Sequence, residues 1–283
     1  TCCSSRGFEM SKRLRELFAQ RRAEGRALFM PYVTAGYPSP AETVDILLAL
    51  QAGGGDAIEY GIPFTDPMAD GATVQHANEV ALRAGVKVTD CFRFLEEARS
   101  RGLTVPVMFM CYYNSVLALG EERAAELAAK AGADGFIVVD LPPEEASSFV
   151  AACRAHGLSF VPLVAPTTSD ERIEKLAAVA DAFLYCVSVT GTTGQRKQLP
   201  PELPTFLERI RAHTDLPLGV GFGISTREHV EQVSRIADAA IVGSAIIAAI
   251  DAAAPGMAAQ GVREYVEDVS GQRQEGEEGS RSG

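Results

Sequence analysis

The sequence predicts an α/β chain folded as a single TIM (β/α)8 barrel with an extra N-terminal helix. Three observations carry this reading. Between Ala27 and Ile250, short apolar runs rich in β-branched residues alternate with longer segments of helical periodicity, the pattern of βα units around a parallel sheet. About eight such runs occur, each short and apolar enough for burial on both faces. An Asp also stands immediately before the second, fourth, sixth and eighth runs, as Asp56, Asp134, Asp181 and Asp238, an echo that fits a barrel assembled from βαβα quarters. The spacings are irregular, so this is no solenoid. An open doubly wound sheet stays as the architectural alternative, distinguished only by strand count.

In chain order, residues 1–9 lack the apolar segment of a secretory signal and read as a disordered N-terminal tail. Met10 to Glu24 reads as a helix ahead of the first strand, and residues 10–255 form the barrel domain. The strands are expected near 28–33, 57–60, 105–109, 135–139, 160–164, 182–187, 218–222 and 239–242. Helices fill the intervals. Three of them carry a Ser/Thr-x-x-Glu capping box, at Ser39/Glu42, Thr168/Glu171 and Ser225/Glu228, and Pro40 suits a first helical position. After Ser39 the positions Val44, Leu47 and Leu48 fall on one face, as a helix packed on a sheet requires. Residues 256–271 read as a terminal helical segment, and 272–283, rich in Gly, Ser and Glu, as a disordered tail or the start of a linker.

Composition narrows the function. The chain has 283 residues, 47% hydrophobic and 22% charged, which suits a globular core rather than disorder. A net charge of −11 is the wrong sign for holding nucleic acid or an anionic membrane through bulk charge, so an anionic substrate needs a local site. Six scattered cysteines form no Cys-x-x-Cys pair and no ligand spacing with His, which argues against a disulfide scaffold or a zinc site. The most apolar stretch, 237–254, is interrupted by Asp238, Gly243, Ser244 and Asp251 and falls short of the roughly 20 apolar residues of a membrane span.

In a barrel of this class, catalytic groups stand at the C-terminal strand ends and on the loops that follow. The second strand ends at Glu59 and runs into a proline-stiffened loop holding Asp66 and Asp70. A carboxylate on an apolar strand is costly unless paired or protonated, and burial moves its pKa toward neutrality, where acid/base catalysis works best. The competing reading is a salt bridge at the barrel mouth, with Asp66 or Asp70 holding a turn. Near the seventh and eighth strands, Gly219-Val220-Gly221-Phe222-Gly223 and Gly243-Ser244 let backbone N–H groups approach a phosphate. These glycines lack dinucleotide-loop spacing, and close packing is their plainer role. Residues 188–197, SVTGTTGQRK, have the composition of a lid or of an ordinary surface loop. The four histidines, His76, His156, His213 and His229, share no spacing and read as non-catalytic.

Taken together, AIEYGIPFTDPMADG, YYN, FIVVDLPPEE, SVTGTTG, VGFGIS and IVGSAI resemble, in order and spacing, the tryptophan synthase α chain family over roughly Leu14 to Ile250. Several stretches are similar to forms in which α and β units are fused. The resemblance implies a carbon–carbon lyase that cleaves indole-3-glycerol phosphate by retro-aldol chemistry, with no cofactor in this chain and pyridoxal phosphate in a β partner. It implies Glu59 and Asp70 as the catalytic pair. Tyr32, Met110, Tyr112 and Phe222 would form the indole slot, and Tyr185 a substrate contact. Gly194, Gly223, Gly243 and Ser244 would form the phosphate cradle, with Thr193 the lid residue that bonds the second carboxylate. The β unit is expected as a separate chain in a heterotetramer or fused downstream, and the compartment as cytoplasmic, with a plastid the alternative.

Three positions depart from the family pattern. Val189 replaces the lid Arg, Ala72 a Pro after Asp70-Gly71, and Ser115 the Pro after Tyr-Tyr-Asn. Val189 motivates an alternative function, a phosphate-binding regulatory unit that activates a β partner with little turnover of its own. A phosphate-sugar isomerase or epimerase on the same barrel is a third reading, but those enzymes lack the long loop after the second strand.

Overall fold

The computed structural model describes residues 4–187, 199–221 and 223–272, with side chains from residue 13 onward. Eight parallel strands close into a barrel in sequence order. They are β1 (Leu28–Thr34), β2 (Ile58–Gly61), β3 (Val107–Cys111), β4 (Gly135–Val138), β5 (Ser159–Val164), β6 (Leu184–Val187), β7 (Leu218–Gly221) and β8 (Ala239–Val242). All eight expected runs form strands, and β8 pairing with β1 settles the barrel against the open sheet. Every strand residue is buried except Leu163 and Val187. This is why the runs read as continuously apolar rather than alternating.

The helices preceding and following β1 and β2 are α1 (Ser4–Ala23), α2 (Thr43–Ala52), α3 (Ala72–Arg83) and α4 (Val88–Ser100). After β3 come α5 (Tyr113–Leu119) and α6 (Glu121–Ala131), then α7 (Ser147–Ala155), α8 (Asp170–Val179), α9 (Leu203–Arg211) and α10 (Arg227–Ser234). The strand β8 leads into α11 (Ser244–Ala252), and α12 (Ala258–Val269) closes the described chain. Helix α1 begins six residues earlier than the hydrophobic pattern suggested, at Ser4 instead of Met10. It closes the N-terminal end of the barrel with Leu14 and Phe18, the latter 5.4 Å from the Phe183 ring.

The capping boxes shift. Ser39 Oγ bonds Glu42 Oε2 at 2.9 Å inside a turn, and α2 starts only at Thr43. For α8 and α10 the cap is the next hydroxyl along: Ser169 accepts the Arg172 N–H and Thr226 accepts the His229 N–H. The dipeptides Thr168-Ser169 and Ser225-Thr226 each offer two caps, and backbone geometry selects the second. In the first pair, the Thr168 hydroxyl instead closes a turn on the Ala165 N–H.

The Asp echo has a physical cause. Each carboxylate reaches back at the N-terminal end of the barrel to the preceding odd-numbered strand. Asp56 accepts from the Phe29 N–H, Asp134 from Val107, Asp181 from Phe160 and Asp238 from Leu218. Each also meets arginine: Arg21 and Arg26, Arg13 and Arg99, Arg154, and Arg22 and Arg211 respectively. The quarter-barrel unit is thus a strand start tied to its neighbour by a carboxylate and an arginine.

Candidate active site

At the opposite, C-terminal end, a cavity opens among the strand ends. Register brings part of its wall together, Tyr32 on β1 lying beside Glu59 on β2. Eight of the expected residues line it, namely Tyr32, Glu59, Asp70, Met110, Tyr185, Gly223, Gly243 and Ser244. Gly71, Val74, Ile224, Ser225, Ile241 and Ala245 join them. Several of these flank residues already singled out, so the glycine motifs carried their signal, whereas Val74 on α3 had none. Thr193, Gly194 and Phe222, with Val189 and the rest of residues 188–198, lie outside the described residues.

Glu59 is 3% exposed, and Tyr185 Oη donates to its Oε2 across 3.5 Å. No cation pairs with it among the described residues. Burial, reinforced by the nearby Asp70 charge and only partly offset by Tyr185, pushes its pKa up to about 8. Asp70, 4% exposed, is raised by burial to about 7, with the Tyr112 hydroxyl pulling the other way. The site therefore holds two carboxylates raised toward neutrality by burial and without a cation among the described residues, one on a strand and one at the end of a loop.

That loop is anchored along its length. The Phe64 N–H donates to Asn78 Oδ1 at 3.1 Å, Asp70 N–H to the Pro67 carbonyl at 3.0 Å, and Gln75 Nε2 to the Asp70 carbonyl at 2.8 Å. Tyr112, expected in the indole slot, stands at the end of β3 beside Asp70, to which its hydroxyl hydrogen-bonds. Its ring stacks on Phe64 at 4.8 Å, and its hydroxyl accepts the Ala69 N–H at 2.9 Å. Ala72 is the first residue of α3 and Ser115 is buried in α5, so neither replacement for Pro interrupts an element.

Two glycines make room for the tyrosines. A Cβ on Gly61 would fall 2.8 Å from Tyr32 Cζ, and one on Gly221 would fall 2.6 Å from Tyr185 Cε1. Tyr32 is fixed by a 2.8 Å hydrogen bond to Thr34 Oγ1. Backbone builds a further part of the wall: Gly223 has φ +81, a left-handed conformation suited to glycine, and Gly243-Ser244 begins α11 beside Tyr32. The first N–H groups of a helix have no partner within it, so this wall can receive an anion. Among the described residues no group of His, Cys, Asp and Glu is arranged to hold a metal ion.

Comparison with known proteins matches residues 18–278 to the family model described as tryptophan synthase alpha chain. The tryptophan synthase alpha chain of Roseiflexus sp. (strain RS-1) is 49% identical over 259 residues, covering 92% of this chain and 99% of that protein. The tryptophan synthase of Saccharomyces cerevisiae is 47% identical over 261 residues, 92% of this chain but only 37% of that longer protein. Among solved structures, one of Mycobacterium tuberculosis tryptophan synthase superposes with a TM-score of 0.84 at 35% identity, covering 92% of this chain and 97% of that one. On these matches, which extend over the strands and loops that build the cavity, the chain belongs to the tryptophan synthase alpha chain family.

Proposed function

We propose that this chain cleaves indole-3-glycerol phosphate to indole and D-glyceraldehyde 3-phosphate, the α reaction of L-tryptophan biosynthesis. The observation that carries the reading is the pair of buried carboxylates, Glu59 and Asp70, which meet no cation among the described residues and face a cavity also lined by Tyr32, Tyr185 and the glycines of the β7 and β8 loops. Indole leaves as a carbon group only after its C3 is protonated. Glu59, neutral through most of the physiological range, supplies that proton. Asp70 accepts the ring N–H and stabilises the positive charge that spreads onto it. The C–C bond then breaks, its electron pair restores the indole ring, and the adjacent glycerol hydroxyl becomes the aldehyde as its proton returns to Glu59.

Tyr32 and Met110, with Phe222, form the slot for indole, and Tyr185 orients Glu59 against the substrate. Tyr112 holds Asp70 through its hydroxyl. Gly223, Gly243 and Ser244, with Gly194 from the loop, cradle the phosphate, and Thr193 bonds Asp70 when that loop closes. The chain works with a β unit carrying pyridoxal phosphate, which takes up the released indole, either in a heterotetramer or fused downstream as the longer yeast relative suggests. A cytoplasmic setting fits this role. Purified chain incubated with indole-3-glycerol phosphate, with and without a β unit, is expected to release both products, faster with the β unit. Binding without cleavage in both conditions would favour the regulatory reading that Val189 motivates.

A further inference from the structure

Ser225 lies on the cavity wall with Gly223 and Ile224, and both of its backbone polar groups are held from behind by side chains. Its N–H donates to His229 Nδ1 at 3.3 Å, and its carbonyl accepts from Tyr265 Oη at 2.8 Å. His229 is 3% exposed, three residues beyond the Thr226 cap, and its own N–H returns to Thr226 Oγ1 at 3.2 Å. The result is a capping box displaced by one residue, with imidazole in the place normally taken by Glu. Tyr265 comes from α12, forty positions away in sequence. That helix is itself seated by Val262, Val266 and Val269, all buried, and by close approach at Gly53, where a Cβ would meet Val266 at 2.8 Å.

We propose that His229 and Tyr265 are positioning residues for the phosphate end of the site, clamping the β7–α10 loop through Ser225 so that its N–H groups converge on the substrate phosphate. The inference rests on the reading of that wall as a phosphate cradle. Gly223 gives the loop its left-handed turn and with it the widest conformational freedom in the wall. A cradle made of backbone donors binds well only if that freedom is removed before the anion arrives. The clamp does this from one residue on α10 and one on α12, neither of which lines the cavity.

The test uses the reverse reaction, in which indole and glyceraldehyde 3-phosphate condense and only one substrate carries phosphate. His229→Leu removes the acceptor of the Ser225 N–H and Tyr265→Phe the donor to its carbonyl, and the loss of one such hydrogen bond corresponds to about two- to tenfold in binding. The expected result is a rise of that size in KM for glyceraldehyde 3-phosphate, with KM for indole and kcat unchanged. His229→Gln, which keeps an acceptor, is expected to restore most of the affinity. Equal KM values in all variants, a parallel rise for indole, or a Gln variant as impaired as Leu would overturn the clamp. Melting curves of each variant identify any loss caused by misfolding, and Tyr265→Phe, the mildest change, then decides. A wild-type chain that neither cleaves nor condenses would remove the phosphate reading itself, and the clamp with it.

Discussion

Replacing Glu59 by Gln should abolish cleavage and, above acid pH, make the protein more stable than the wild type. In the native state the Glu59 carboxyl is held at about 8 against an ordinary value of 4.5, because burial and the neighbouring Asp70 disfavour its charge. Between those values the folded protein keeps a proton that the unfolded chain releases, so stability falls as pH rises through the window. The linkage relation puts the cost of Glu59 at under ~1 kcal/mol at pH 5 and at about 4 kcal/mol at pH 7.5. Gln has no such dependence, and any fixed cost of burying its amide cancels when the two pH values are compared. The stability difference between variant and wild type should therefore grow by about 3 kcal/mol from pH 5 to pH 7.5. For a domain of this size that is roughly 6–12 °C in Tm. Thermal melts of both proteins in matched buffers measure it directly. Parallel Tm curves, with the variant offset by the same amount at every pH, would refute the idea that Glu59 is kept uncharged by its surroundings.

Other consequences follow from the same geometry. The kcat/KM profile should be a narrow bell, rising near pH 7 as the pair loses its first proton and falling near pH 8 as it loses the second, these being values of the coupled pair. Asp70→Asn removes the like charge that raises Glu59, so the residual activity, at least a hundredfold lower, should lose its alkaline limb at lower pH than the wild type; an unmoved limb would contradict the coupling. Gly221→Ala drives a Cβ into Tyr185, and overpacking of about 1–3 kcal/mol should appear as a lower Tm, together with a fall in kcat as Tyr185 leaves Glu59. Asp56→Ala strands the Phe29 N–H at the far end of the barrel and leaves Arg21 and Arg26 with Glu24 as carboxylate partner, and should cost about 1–3 kcal/mol in chemical denaturation while leaving kcat untouched.

The barrel was legible because each strand is a short, doubly buried apolar run that needs no tertiary information to be found. Glu59 was legible for the opposite reason, as a charge where the pattern demands an apolar residue. Helix starts were less so: adjacent hydroxyls at Thr168-Ser169 and Ser225-Thr226 compete for one cap, and the choice depends on backbone angles that composition does not encode. That Tyr112 meets Asp70 is not legible in the sequence. Which face a residue turns at the end of β3 depends on its stacking with Phe64, far away in the chain. The contact of Tyr265 with Ser225 left no trace in spacing or motif, since it joins a terminal helix to a loop through one hydroxyl and one carbonyl. The Asp before alternate strands was visible as an echo, while its partners, arginines in other elements, were not.

The two ends of the barrel treat one functional group in opposite ways. At the N-terminal end, carboxylates are met by guanidinium groups and strand N–H donors. For Asp238, burial alone would raise the pKa, yet the Leu218 N–H with Arg22 and Arg211 holds it below the ordinary value. Such a group stays charged and ties strands together. Asp134 shows the limit of the arrangement: wholly buried, it is raised by burial more than Arg13 and Arg99 lower it. At the C-terminal end, Glu59 and Asp70 are as deeply buried and, among the described residues, are met by tyrosine hydroxyls instead of cations. Supplying either with an arginine would settle the strand ends and, by the same stroke, fix the carboxylate as an anion with no proton to give. In the proposed reaction a carboxyl without a cation keeps a proton to give, and the paired carboxylates at the other end offset the instability that results.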